Sequence, residues 1–366
     1  LGALFSIYGV VAVFSYFFGG PLADRFPART LIASALTLTG FGGLIMASIP
    51  SYRILQGVYA LFGFTTVFLF WAALIKATRE WGGSSFEGRA YGWLEGGRGI
   101  SAGLIATFAL ISFAILIPDD VTREAQIKAI RRVFLGTSFW VILLGIVGYL
   151  ILPRKKVEQT MQRINRKDVW KVLKNPKILL HALIILCAYV GYKVTDDISL
   201  YSQQVLGMHE VRAAGMGTLL LWLRPVFAVL AGILTDRYST LHVLTWSFTG
   251  VLIAGLLLFT GWIEPWVNLS VLVMGLMVAG VYALRGIYFA LLRESSIPLA
   301  ITGTAVGVVS VIGYTPDIFM SPLMGYLIDS SPGPQGHQHV FMVLLGFALV
   351  GLGASWALWR IQNKNM

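Results

Sequence analysis

The apolar residues of this sequence fall into long runs separated by short polar stretches. A helix needs about 20 mostly apolar residues to cross a hydrocarbon core of about 30 Å. Runs of that length lie at Leu1–Gly19, Thr30–Ile49, Tyr52–Ala77, Ala90–Ile117 and Val133–Leu152, and then at Ile178–Tyr201, Ala213–Thr235, Leu241–Trp262, Trp266–Leu292, Ala300–Ile328 and Val340–Trp359. Five spans are thus followed by a polar, basic segment, Pro153–Asn175, and by six more. Backbone polar groups in lipid must satisfy one another, so bundled helices are the architecture for such runs. The fold class expected is an all-α polytopic membrane protein. Its parts would be an N-terminal bundle (1–152), a basic linker (153–177) and a C-terminal six-helix bundle (178–366).

Composition agrees. Of 366 residues, 57% are hydrophobic and 12% charged, about half the charge of a soluble domain, and the mean hydropathy is +0.76. A soluble enzyme, a nucleic-acid binder and a disordered tail are excluded. The single cysteine, Cys187, rules out a disulfide within the chain and a thiolate metal cluster, and reads as a packing residue. The net charge of +11 is an orientation signal rather than a nucleic-acid footprint. With the Asp24–Arg29 turn placed in the cytoplasm, eighteen of the 28 Lys and Arg fall on that side, nine of them between Arg154 and Lys177. Six (Arg53, Arg123, Lys128, Arg131, Arg132, Arg212) fall opposite, and four (Arg98, Lys193, Arg224, Arg285) lie inside spans. The positive-inside rule then puts the linker and the C-terminus in the cytoplasm of a multi-pass inner-membrane protein. Val157–Leu173 reads either as a solvated linker or as an amphipathic helix on the inner face. Leu1 opens directly on an apolar span with no signal-peptide n-region, as at the cut edge of a longer protein.

A repeat divides the chain. Gly20-Pro21-Leu22-Ala23-Asp24-Arg25-Phe26 returns as Gly232-Ile233-Leu234-Thr235-Asp236-Arg237-Tyr238, each copy at a turn between two spans and offset by 212 positions. Glycine lets two helices approach closely; the aspartate can cap a helix start or pair with the adjacent arginine. The same offset places a partner for Ile178–Tyr201 before Leu1, so twelve spans are expected where eleven are counted. Internal duplication of a helical half is a signature of secondary transporters.

Gly20–Arg29 resembles the loop motif G-x-L-a-D-R-x-G-x-[KR] of the major facilitator superfamily, with Pro27 in place of the second glycine. Gly232–Leu241 is a weaker copy lacking the final cation. Arg53-Ile54-Leu55-Gln56-Gly57 is similar to that family's pattern R-x-x-Q-G, and Trp71…Lys76…Trp81…Arg89 to its organophosphate antiporter branch. The antiporter glycine–proline pattern is unmatched, since Gly96-Gly97-Arg98-Gly99 lacks proline. The resemblance implies a major facilitator fold and alternating access. Gly20, Asp24, Arg25, Arg29, Gly232, Asp236 and Arg237 would serve as gating loops, and Arg53, Gln56 and Gly57 as a further motif.

Charges inside a bilayer cost roughly 2.5–3.5 kcal/mol each on insertion scales and are kept only if paired, hydrated or used. Eight lie inside spans: Glu95, Arg98, Lys193, Asp196, Asp197, Arg224, Arg285 and Asp317, four of each sign. On one reading Glu95 pairs with Arg98, and Lys193 with Asp196 or Asp197, at helical spacing. On the other, Arg98, Lys193, Arg224 and Arg285 hold an anionic substrate. Arg224 and Arg285 have no acid within a turn, which leaves them to contact substrate or to pair with Asp317 across helices. Glu95, Asp196, Asp197 and Asp317 are candidates for proton coupling or charge pairing, because a carboxyl group taken out of water holds its proton more readily. Tyr189, Tyr192, Trp222, Tyr282 and Tyr288 could stack on a sugar or base, or simply pack. Gly92, Gly96, Gly99, Gly103, Gly303 and Gly307 are close-packing positions. Tyr314-Thr315-Pro316-Asp317 reads as a kink beside an acid. His337-Gln338-His339 reads as an outer solvated loop, with too few ligands for a metal.

No Walker, H-E-x-x-H or G-x-S-x-G motif is present, so neither ATP-driven transport nor hydrolysis is expected, nor any cofactor, metal or catalytic residue. The reading is a monomeric secondary transporter, not an enzyme. Its solute would be a small organic anion, with phosphorylated and sulfonated solutes among the candidates, and protons are the coupling candidate. A proton-coupled carrier of a neutral sugar or nucleoside and a transporter-like receptor are the alternatives.

Overall fold

A computed structural model describes residues 2–83, 86–116, 123–153, 175–294, 297 and 302–363. Among them eleven helices are long and apolar enough to cross a membrane: α1 (Leu4–Arg25), α2 (Ala28–Ala47), α3 (Tyr52–Gly82), α4 (Glu87–Ser112), α5 (Arg123–Ile151), α6 (Pro176–Gln204), α7 (Arg212–Arg237), α8 (Thr240–Phe259), α9 (Val267–Arg293), α10 (Thr302–Ser330) and α11 (Pro334–Asn363). Where caps are visible they follow from sequence. Asn175 accepts from the Lys177 amide ahead of Pro176, and Ser239 from the His242 amide, each meeting an amide that the helix cannot satisfy internally.

Two helices start earlier than their apolar runs. α5 begins at Arg123, so the basic residues read as a loop lie on its first turns; long basic side chains can extend along a helix toward water. Arg131 Nε donates to the Ala47 carbonyl at 3.1 Å, meeting an orphan acceptor at the end of α2. α11 begins at Pro334, whose fixed φ suits a first helical position. His337, Gln338 and His339 are therefore helical rather than an outer loop, and His337 is buried. The basic linker lies almost entirely outside the described residues, and Val157–Leu173 wholly so.

The chain forms two compact units: Leu1–Glu80, Leu104–Leu173 and Ile297–Val311 make unit 1; Trp81–Gly103, Lys174–Ser296 and Ile312–Met366 make unit 2. Each unit takes in a helical piece from the other half of the sequence, and the repeated glycines permit the approach. In unit 1 a Cβ on Gly20 would lie 2.5 Å from the Gly303 carbonyl oxygen, and one on Gly307 2.6 Å from that of Tyr16. In unit 2 a Cβ on Gly92 would lie 2.8 Å from the Ala228 oxygen and 2.9 Å from the Gly232 Cα. The repeat is thus one of packing as well as of sequence. Large apolar side chains cover the exposed face of α5, including Phe139, Leu143, Ile146, Leu150 and Ile151, a surface suited to lipid rather than water.

Four helices of unit 2 are interrupted. α6 tightens to a 3₁₀ turn at Thr195–Asp197, and α9 does so at Tyr288–Ala290. α7 breaks at Trp222, and α10 at Tyr314–Thr315. Pro225 and Pro316 explain the last two, since each lacks an amide proton and crowds the carbonyl four residues back. Side chains replace lost backbone bonds. Thr195 Oγ1 donates to the Tyr192 oxygen at 2.7 Å, Thr315 Oγ1 to that of Ile312 at 2.8 Å, and a His181 Nε2 proton reaches that of Tyr288 at 2.8 Å.

Gly92 and Gly97 share one helix, but nothing lies within 4 Å of a Cβ on Gly97. Alanine at either gains helix propensity of up to about 1 kcal/mol, while overpacking costs about 1–3 kcal/mol. Thermal unfolding in detergent is expected to show Gly92→Ala less stable than the parent and Gly97→Ala equal to it or more stable.

Candidate functional site

The interruptions of unit 2 frame a cluster of charges. Glu95, on α4, is its centre. Arg98 Nη1, one turn on, donates to Oε2 at 2.8 Å. Arg224, beside the α7 break, donates to Oε1 from Nε at 3.0 Å and from Nη2 at 2.7 Å. Arg285, near the end of α9, donates from Nε to the same oxygen at 2.8 Å. Three cations and one anion leave a net charge of +2. The side chains of Glu95, Arg224 and Arg285 are buried, whereas that of Arg98 is 33% exposed. Arg285 lies 3.8 Å from the Tyr192 ring centroid and 5.3 Å from that of Tyr189. Such faces attract a cation by about 0.5–2 kcal/mol without neutralising it. Arg285 Nη1 is buried and has no hydrogen-bond partner.

A second cluster carries the opposite sign. Lys193 Nζ lies 2.9 Å from Asp196 Oδ2 and 3.9 Å from Asp317 Oδ1. The Tyr189 hydroxyl donates to both oxygens of Asp317, at 3.0 and 3.1 Å. The Asp196 and Asp317 side chains are 49% and 35% exposed, so their remaining lone pairs can accept from a solute. Tyr189 joins the two clusters, its ring beside Arg285 and its hydroxyl on Asp317. Tyr314 packs edge-on against Tyr189 at 4.6 Å and hydrogen-bonds Tyr288 at 3.0 Å.

Several expectations change. Arg224 and Arg285 pair with Glu95 rather than with Asp317, because the α4 carboxylate reaches both while Asp317 is held by Tyr189. Lys193 pairs with Asp196 rather than Asp197, whose Oδ2 is buried without a partner; the 3₁₀ turn rotates the two acids apart. The eight intramembrane charges balance in total but are sorted into a positive and a negative group. Of the aromatic candidates, Tyr189 and Tyr192 present ring faces to the arginines, and Tyr288 is buried. Trp222 occupies the place where a Gly103 Cβ would sit, at 2.8 Å, and Tyr282 is buried.

Of the two roles expected for the motif aspartates, capping a helix start and pairing with the adjacent arginine, Asp24 takes the first. In unit 1, Asp24 accepts from the Gly303 and Thr304 amides at 2.9 and 2.8 Å and from Thr304 Oγ1 at 2.8 Å. It therefore caps α10 across 280 residues rather than pairing with Arg25. Lys76 Nζ stands 3.6 Å from Asp24 and donates to the Ala23 oxygen at 3.0 Å. Arg79 anchors the same region through Thr302 Oγ1 at 2.6 Å and the Ile297 oxygen at 2.8 Å. Arg29 lies over the Tyr149 ring at 4.0 Å. In unit 2, Asp236 pairs with Arg89, and Arg237 lies 5.8 Å from the Tyr238 ring. Arg53 is exposed and Gln56 half-buried, and nothing lies within 4 Å of a Cβ on Gly57.

A sequence profile of the Major Facilitator Superfamily matches residues 1–315. The chain belongs to that family. It is 30% identical over 363 residues to Inner membrane protein YqcE of Escherichia coli (strain K12), covering 96% of this chain and 83% of that protein. To Inner membrane protein YihN of the same organism it is 26% identical over 365 residues, covering 96% and 84%. Among solved structures it is similar to the proton:xylose symporter XylE bound to 6-bromo-6-deoxy-D-glucose, with TM-score 0.72, 16% identity, and 97% and 84% of the two chains covered. It is also similar to the E. coli fucose:proton symporter FucP, with TM-score 0.71, 14% identity, and 95% and 90% covered. By family and fold the chain is a major facilitator superfamily transporter, an all-helical protein with eleven described membrane-capable helices.

Removing one partner of a buried ion pair costs about 3–5 kcal/mol, because the other charge is left uncompensated. Glu95→Gln is expected to lower thermal stability in detergent sharply, and Glu95→Gln combined with Arg224→Met to recover part of the loss.

Proposed function

We propose that this transporter carries a small organic anion bearing hydroxyl groups, by alternating access, down a gradient of the solute or of a coupling ion. The observation that carries the reading is the cluster of three arginines on one carboxylate. Its +2 charge includes a buried, unpartnered guanidinium nitrogen at Arg285, and the Arg98 side chain is 33% exposed. Guanidinium forks match carboxylate, phosphate and sulfonate oxygens. Arg98, Arg224 and Arg285 then receive the anionic group, phosphorylated and sulfonated solutes included, while Tyr189 and Tyr192 offer ring faces to the body of the solute. Asp196 and Asp317 accept from its hydroxyls. Lys193 beside both carboxylates disfavours an ammonium there, which separates a hydroxylated anion from a zwitterion. A neutral sugar is the second reading. The exposed carboxylates and tyrosines favour it, and the fold neighbours include sugar symporters, but it leaves the +2 charge without a role.

The Asp24 cap on α10 and the Asp236–Arg89 pair would act as latches that form and break within the cycle. The positive-inside rule puts these turns, the linker and the C-terminus in the cytoplasm.

Hydrogen bonds to charged groups are worth about 1.5–3 kcal/mol, or roughly 10–100-fold in affinity. Proteoliposome uptake of sugar acids and sugar phosphates is expected to lose affinity by that factor in Arg285→Met, with the fold intact by thermal unfolding; unchanged uptake would remove the anion assignment. Asp24→Asn keeps the shape of the cap but weakens its charge. It is expected to slow turnover more than it weakens equilibrium binding, and a mutant with parental turnover would end the latch role.

A further inference from the structure

A small cavity of ≈ 10 Å³ lies inside unit 2, lined in part by Val194 and Asp197, the sequence neighbours of Lys193 and Asp196. Its lining includes Asp197 and Tyr201 on α6, Met274 and Met277 on α9, and His337 and Phe341 on α11. The walls are otherwise apolar. Two oxygens lining it are buried and unpartnered, Asp197 Oδ2 and Tyr201 Oη. Tyr201 is only 3% exposed and its ring packs edge-on against His337 at 5.4 Å. His337 Nε2 lies 2.9 Å from Gln204 Oε1. This bond makes Nε2 the donor and leaves Nδ1 as the acceptor of the neutral ring.

Neither the arginine site nor the loop motifs use this group. A carboxylate oxygen left in an apolar cavity without a partner is costly. It is relieved by a neighbouring cation, by a hydrogen-bond donor or by a proton. The neighbouring cation is committed elsewhere, because Lys193 is 2.9 Å from Asp196. A multi-ligand metal finds no donor set, since among the described residues no group of three His, Cys, Asp or Glu is arranged to hold one. The cavity is at the lower edge of the roughly 10–15 Å³ that one water needs, and a water there would have Asp197, Tyr201 and the His337 ring as polar neighbours.

We propose that Asp197, Tyr201 and His337 form a proton-binding site, in which the Asp197 carboxylate takes a proton delivered through one cavity water. The water, acting as hydronium, gives its proton to Oδ2 and returns to neutral water; Tyr201 and His337 hold that water by hydrogen bonds. The groups that set its charge environment are Asp196 and Lys193 on the same helix, Tyr201 and His337 across the cavity, and Glu264, whose Oε1 accepts from Gln338 beside His337 at 3.1 Å. The face contributed by α9 is Met274 and Met277, without charge. Loading the proton changes by one unit the charge next to the Lys193–Asp196 pair, which ties occupancy of this site to the negative half of the substrate site. The proposal does not depend on which solute is carried.

The test is an infrared titration of the purified full-length chain in lipid nanodiscs, following the carbonyl stretch of a protonated carboxyl group. The parent is expected to show a titrating band that is absent in Asp197→Asn and kept in Asp317→Asn. In Tyr201→Phe, which loses a hydrogen bond to the water that donates to the ionised carboxylate, the midpoint is expected to move up by about one pH unit. If Asp197→Asn does not fold, the Tyr201→Phe shift alone decides. No titrating band in the parent, a band that persists in Asp197→Asn, or an unmoved midpoint in Tyr201→Phe would overturn the proposal. So would loss of the band on replacing choline chloride with sodium chloride at fixed pH, which would assign the cavity to a metal cation.

Discussion

Glu95 accepts hydrogen bonds from arginines on three helices: its own α4, and α7 and α9 of the same compact unit. One carboxylate can offer lone pairs to several guanidinium groups, but it can cancel the charge of only one. Much of the chemistry of unit 2 follows from this inequality. The bonds to Glu95 make it possible to bury Arg224 and Arg285 in a helical bundle, where an isolated charge is expensive. The surplus is the basis of the anion reading proposed for this site. The helix interruptions at Trp222, Tyr288–Ala290 and Tyr314–Thr315 lie close in sequence to the residues that surround it. Bilayer-depth backbone departs from regular helix where protein or a polar cavity can meet its hydrogen bonds.

The two units solve the packing of their loop motifs in parallel ways. Gly20 meets the Gly303–Gly307 stripe, and Gly232 meets Gly88 and Gly92. Each aspartate then finds a partner contributed by the helix that the close approach brings near: the α10 amides for Asp24 and Arg89 on α4 for Asp236. In each unit small residues allow the close approach and one acid supplies a specific polar contact.

Most of the fold was legible in the sequence, because lipid imposes a length and a polarity on every span. The exceptions have physical causes. α5 and α11 run past their apolar cores into basic or polar turns, where hydropathy stops marking the helix. The site was legible as a list and not as a geometry. Arg224 and Arg285 stood out for want of an acid within a turn of their own helices, yet their partner is Glu95, more than a hundred residues away. At helical spacing Asp196 and Asp197 were equal partners for Lys193; the 3₁₀ turn at Thr195–Asp197 sends them to different neighbours. Tyr201 was overlooked although it lies four residues from Asp197, the spacing of a shared helix face. His337 reads as solvated from sequence because it precedes the apolar run Val340–Trp359.

The claim that one carboxylate leaves surplus positive charge in the Glu95 cluster, with Arg285 Nη1 unpartnered, is tested most directly by locating a tetrahedral anion. Crystals of the full-length chain soaked in selenate, examined by anomalous diffraction, should show a peak within hydrogen-bonding reach of the Arg98 and Arg285 guanidinium groups, with Glu95 still bridging Arg224 and Arg285. An anomalous map without a peak there, or one in which a second carboxylate occupies the free face of Arg285, would contradict it.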